Sequence, residues 1–219
     1  MNPALVGVAL AVVVGAVVAV SARNARTAML GVVAVLLFAP FLAEPTGEPI
    51  GLAARLVGAT LSGYLLWVAA RGSGVWTGGS SVGWPTELLV AAAAAVVGYG
   101  SHGLGVPPLG PALTQAAGFS VAALSIAPIA NGRDIVRVGM GLLMLISAAI
   151  LVRVALGGTP QPLEQVVIAG MVAGLGGAIA VLAVSARAEG VDFELAAEHS
   201  GRVQRAPDAH PVETRPDAR

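Results

Sequence analysis

The sequence contains no cysteine and no lysine. Without cysteine the chain has no disulfide, no cysteine-ligated iron–sulfur cluster and no cysteine zinc site. Without lysine its cations are arginines, and charged residues of both signs make up only 11%, against about 25% in soluble domains. Net charge is zero, so no basic surface for nucleic acid follows. Aromatic residues are 4%, which leaves only thin belts for a membrane–water interface. The three histidines, His102, His199 and His210, have no metal-ligand spacing. There is no Ser/His/Asp set in one region and no glycine-rich phosphate loop after a strand. The expected catalytic, cofactor-binding and metal-binding residues are therefore none.

What the chain has is apolar length. Hydrophobic residues are 56% of its 219, gathered in runs near the ~20 residues that cross a hydrocarbon core as helix. The reading is an all-α, polytopic transmembrane bundle of about seven helices: residues 4–20, 27–43, 50–70, 86–100, 110–130, 136–156 and 164–186. Residues 1–187 form the membrane domain. Residues 188–219 form a polar, disordered cytoplasmic tail, with prolines at 207, 211 and 216 and too little apolar surface to order itself. Seven of the acids lie in that tail; through residue 187 there are only Glu44, Glu48, Glu87, Asp134 and Glu164. The first run has no arginine before it, whereas Arg23 and Arg26 follow directly, so it reads as a retained helix and not a cleaved signal. Pro40 is expected to kink or end the second helix. A count of six stands open if the first run is cleaved or the Gly/Pro-broken region 101–111 is re-entrant.

Loop charges orient the bundle. Loops one, three and five carry Arg23 and Arg26, Arg71, and Arg133 and Arg137. Loops two, four and six carry Glu44 and Glu48, His102, and Glu164, with no arginine. The positive-inside rule then puts the N-terminus outside and the C-terminus in the cytoplasm of a cell (plasma) membrane.

Chemistry at mid-membrane depth is sparse. Glu87 and Glu164 fall in first helical turns, where a carboxylate suits the helix dipole; a place on a proton path is the sharper alternative. Arg55 and Arg153 stand about a turn from helix ends and are expected to snorkel outward. Gly170-Met171-Val172-Ala173-Gly174 is a small-xxx-small motif, and with Gly177 it predicts close helix packing, internal or against another subunit. Candidate residues for an ion path or interface are thus Glu87, Glu164, Arg55, Arg133 and Arg137. A membrane enzyme would need converging polar groups. Those available, Ser62, Tyr64, Thr114, Gln115, Ser120 and Ser125, are few, and Gln115 and Ser120 suit bonds across helices.

Two segments carry a family resemblance. Arg133-Asp134-Ile135-Val136-Arg137-Val138-Gly139-Met140-Gly141-Leu142-Leu143-Met144 resembles the start of the second helix in subunit K of NADH-quinone oxidoreductase. Pro162-Leu163-Glu164-Gln165-Val166-Val167-Ile168 resembles the start of the third helix in that family and in the small C-type subunit of multisubunit cation/proton antiporters. With extra helices in front, the whole is similar to hydrogenase-4 component E. The resemblance implies a subunit beside larger antiporter-like, proton-translocating membrane subunits, with lipid as its other neighbour. Where that family carries an embedded Glu, this chain has Ile146. Near the family's buried Lys it has Val57 and Gly58, with Arg55 close by. The resemblance therefore implies a scaffold without the relay. The alternative is a self-contained small transporter, suggested by the broken region around 100–111.

Overall fold

The computed structural model describes residues 3–42, 49–71, 83–102, 110–132, 134–158 and 160–188. Among them the chain is all helical: α1 (Pro3–Ser21), α2 (Ala25–Phe38), α3 (Pro49–Ala70), α4 (Trp84–Ser101), α5 (Ala112–Asn131), α6 (Ile135–Gly157) and α7 (Pro162–Ala188). Six of these, α2 together with its extension to Leu42, are long and apolar enough to cross a membrane. The exception is α4, whose polar first turn (Thr86, Glu87) and Gly/Tyr/Ser end dilute its apolar middle. A bilayer core has no water to bond an open backbone, so long apolar runs fold into helices that satisfy their own amides. The expected tail beyond Ala188 lies outside the described residues, as do Glu44, Glu48 and Arg133.

Local chemistry sets the helix ends. Proline begins α3 and α7 and stands second in α4, where its missing N–H costs nothing. Pro40 acts as expected: α2 tightens into a 3-10 turn, Ala39–Leu42. Asp134 caps α6, its carboxylate accepting from the Val136 amide at 3.3 Å. Gly158 closes α6 in a left-handed conformation, φ 74°, that favours glycine.

Helix register follows from the close contacts. Gly31 of α2 lies against the Gly15 carbonyl and the Ala19 amide of α1, so close that a Cβ on Gly31 would sit 2.5 Å from either. Gly118 of α5 lies over Ala148 and Leu151 of α6, while Gly141 of α6 lies over Pro128 and Ile129 of α5. That pair is antiparallel. Gly98 of α4 meets Gln115 and Phe119 of α5, and Ser120 of α5 bonds the Ala91 carbonyl of α4 at 2.9 Å. That pair is antiparallel too, so α4 runs along the bundle beside α5. In contrast, α3 and α7 run parallel: Gly51 meets Gln165, Gly58 meets Ala169, and Ser62 meets Gly176. The most extensive pairings are α5 with α6, α3 with α7, α4 with α5, and α1 with α2. Although α6 and α7 are consecutive, α6 rests chiefly on α5 and α7 chiefly on α3.

The chain therefore alternates up and down. One end gathers the close of α1, the start of α4 and the start of α6. The other gathers the 3-10 turn after α2, the starts of α3, α5 and α7, and the close of α4. The core between them is built from Val12, Val32, Val35, Leu66, Val121, Met140, Leu143, Met144 and Leu151, each 2% exposed or less.

Candidate functional site

Arg55 lies about 9 Å along α3 from Pro49, at 1.5 Å per residue. Neighbouring helices cover most of it, leaving the residue 8% exposed. Its helix position turns it toward α2, α6 and α7, while Val57 faces outward, 67% exposed. Arg55 lines a cavity of about 20 Å³ together with Pro40, Ala59, Ser147, Ile150 and Ala169. The cavity is partly open and not a sealed void. No hydrogen bond or ion pair to Arg55 is present among the described residues. Ser147 is buried, and its hydroxyl donates to the Leu143 carbonyl at 2.8 Å, the usual bond for a serine inside a helix. Sequence distance from the helix ends put Arg55 and Arg153 in one class. The structure separates them, because burial depends on which face of α3 meets the bundle.

Arg153 is the exposed one. Its guanidinium pairs with Glu164 at 2.7 Å across the α6–α7 connection, the two side chains 46% and 37% exposed. Glu164 thus has a specific partner besides its place in the first turn of α7. An exposed pair of this kind contributes about 0–1 kcal/mol.

Glu87 is buried, 6% exposed, and neither carboxyl oxygen has a hydrogen-bond partner among the described residues. Although Glu87 stands in the first turn of α4, as expected, it is covered by neighbouring helices. Its helix packs on α5 and α1, and this turns the carboxyl inward. Glu87 stands at the bundle end opposite Arg55, so the two buried charged residues are not brought together. Arg137 is half-buried in the first turn of α6.

The end that holds Arg55 also holds a polar lock that sequence reading found only in part. Thr114 donates to the Leu42 carbonyl at 2.6 Å, fastening the start of α5 to the turn after α2. Gln115 donates to Ser101 at 3.0 Å and lies 2.8 Å from His102 Nδ1 through its own Oε1. With Oε1 as acceptor, His102 donates through Nδ1. The Gly110 amide bonds the Ala155 carbonyl at 2.7 Å. His102 read as a loop residue; its link to Gln115 carried no sequence signal, because thirteen residues and a chain reversal separate the two.

The glycines of α7 divide by face. Gly176 is buried against Ser62, whereas Gly170 and Gly174 have nothing within 4 Å of a built Cβ. Gly177 meets only Leu65 Cδ1, at 3.7 Å. Inside the chain, the close approach of α7 is made by Ala169 and Gly176, and the motif at Gly170 and Gly174 faces out. Ile146, at the resemblance's position for an embedded Glu, is half-buried against the core. An apolar groove of about 720 Å³ opens outward between α5 and α6, with Phe119, Leu145 and Val152 in its wall and Arg153 at its rim. No group of acids, histidines or cysteines suited to a metal ion is present among the described residues.

Compared with protein-family models, with curated proteins and with solved structures, the chain matches none. Fold and geometry define its class: a multi-pass helical membrane bundle.

Proposed function

We propose that this chain is an integral membrane subunit without chemistry of its own that packs against a larger membrane partner. One observation carries the reading. The span of α7 is 28% buried, against 39–56% for the other five spans, and its outward face presents Gly170 and Gly174 with open space before them. Between two helices such residues allow backbones to approach closely; against lipid they gain nothing. The resemblance at residues 133–144 and 162–168 supplies the partner's class: the antiporter-like, proton-translocating subunits of complex I-like, membrane-bound hydrogenase-like or multisubunit antiporter-like assemblies. Ile146 in place of an acid fits a scaffold, since an alkyl side chain cannot carry a proton. The arginines of loops one, three and five support a plasma-membrane topology with the N-terminus outside and the C-terminus in the cytoplasm.

The test is to tag the C-terminus, solubilise the membrane in mild detergent and identify what is retained by mass spectrometry. A large multi-helix subunit is expected with the native chain and not with Gly174→Leu. Recovery of the native chain alone refutes the proposal. A second reading, a self-contained transporter, draws on buried Arg55. Transport by the purified chain alone in liposomes would favour it.

A further inference from the structure

Arg71 closes α3, its amide bonding the Trp67 carbonyl at 3.1 Å. Its guanidinium lies over the Trp67 ring, 3.4 Å from the centroid. The Tyr64 and Trp67 rings stand 6.2 Å apart, tilted by 40°. A belt tryptophan meets the headgroup region by itself; this one carries a cation on its face. A guanidinium is flat, with five N–H donors in its plane. Stacking uses the face and leaves those donors for an acceptor at the edge. No ion pair to Arg71 exists among the described residues. Residues 72–86 contain no acid, and Glu87 beyond them is buried.

Below Arg71, the residues Val57, Leu61, Tyr64 and Val68 are all exposed. They recur every three or four positions and so form one stripe down the outer side of α3. With 22 residues, α3 is about 33 Å long and crosses the hydrocarbon core. Arg71 therefore stands at headgroup depth. The same end of the bundle carries Arg23, Arg26 and Arg137.

We infer that the outer side of α3 binds an anionic glycerophospholipid. Its phosphate accepts from the edge of the Arg71 guanidinium, which Trp67 holds flat, and one acyl chain runs along Tyr64, Leu61 and Val57. Charge and shape set the class. A zwitterionic headgroup brings an ammonium that Arg71 repels, and a free phosphate has no chain to lay on the stripe. The inference does not depend on the subunit assignment, since no residue of α7 takes part.

The experiment is native mass spectrometry of the purified full-length chain in detergent, titrated with phosphatidylglycerol or with phosphatidylcholine of the same acyl chains. The native chain should retain one phosphatidylglycerol about fivefold more tightly, the worth of one arginine near an anionic headgroup. That preference should disappear in Arg71→Gln. It should fall in Trp67→Leu, which keeps the charge and removes the platform. Arg153→Gln, at the opposite end of the bundle, should leave it unchanged. Equal retention of the two lipids by the native chain overturns the inference, as does an undiminished preference in Arg71→Gln or an equal loss in Arg153→Gln. Displacement of the lipid by glycerol phosphate at equal concentration would assign the site to a soluble anion and overturns it too. Should Arg71→Gln not fold, Arg71→Lys takes its place. An ammonium keeps the charge without the flat face or the forked donors, so an unchanged preference there also overturns the inference.

Discussion

Replacing Gly176 and replacing Gly174, two residues apart on α7, should have opposite consequences. A Cβ at Gly176 would meet the Ser62 hydroxyl and come within 2.9 Å of Ser62 Cα and Cβ, whereas one at Gly174 meets nothing within 4 Å. Ordinary carbon contacts sit at about 3.5–4.0 Å, so Gly176→Leu must push α3 and α7 apart by roughly 1 Å. A gap of that size forfeits a quarter to a half of about 0.1–0.2 kcal/mol for each atom pair. Over roughly thirty pairs along the interface the loss is about 1–3 kcal/mol, the range of overpacked cores. Gly174→Leu adds no clash and removes a helix-interior glycine, a gain of up to about 1 kcal/mol. The assay is reversible unfolding in mixed detergent micelles, followed by helical circular dichroism, with all three proteins at the same detergent mole fraction. Equal destabilisation by the two substitutions, or a larger loss at Gly174, would refute the face assigned to α7.

Two further expectations concern buried polar groups. Thr114→Val keeps the shape but removes the hydroxyl that reaches the Leu42 carbonyl at 2.6 Å. It should cost about 1–3 kcal/mol by leaving that buried acceptor unpaired; a neutral result in the same assay would mean that water reaches Leu42. Glu87→Met should stabilise the isolated bundle by about 1–3 kcal/mol, because a carboxyl without a donor gives way to an apolar side chain of similar length. A loss of stability would show that Glu87 has a partner of its own.

Six of the seven helices were legible because a bilayer imposes a run length that they meet; α4 falls short of it and was legible from its proline-led start and its run of alanines. Pro40 marked the close of α2 as expected, since a missing N–H acts locally, and prolines stand in the first turns of α3, α4 and α7 for the same reason. Which face of each helix turns inward was not legible. In a soluble helix, polar residues mark the outer side; here both sides are apolar, so Gly174 and Gly176 looked alike. The same blindness merged Arg55 with Arg153, and it hid that Glu87 is buried with its carboxyl oxygens unpartnered among the described residues. The Arg153–Glu164 pair and the Gln115–His102 contact depend on loop geometry, which sequence spacing does not encode.

The parallel seating of α7 against α3 bears on the order in which the chain is made. Ribosomes deliver helices from the N-terminus, and α3 is synthesised long before the helix that fills its groove at Gly51, Gly58 and Ser62. Until α7 emerges, that groove and the neighbouring arginine must face lipid or the insertion machinery. The bundle thus completes itself by a late closure between distant parts of the chain. In a membrane protein built this way, a late helix such as α7 acts as a keystone: a nascent chain stalled before it holds an open seam, and quality control has a simple feature by which to recognise it.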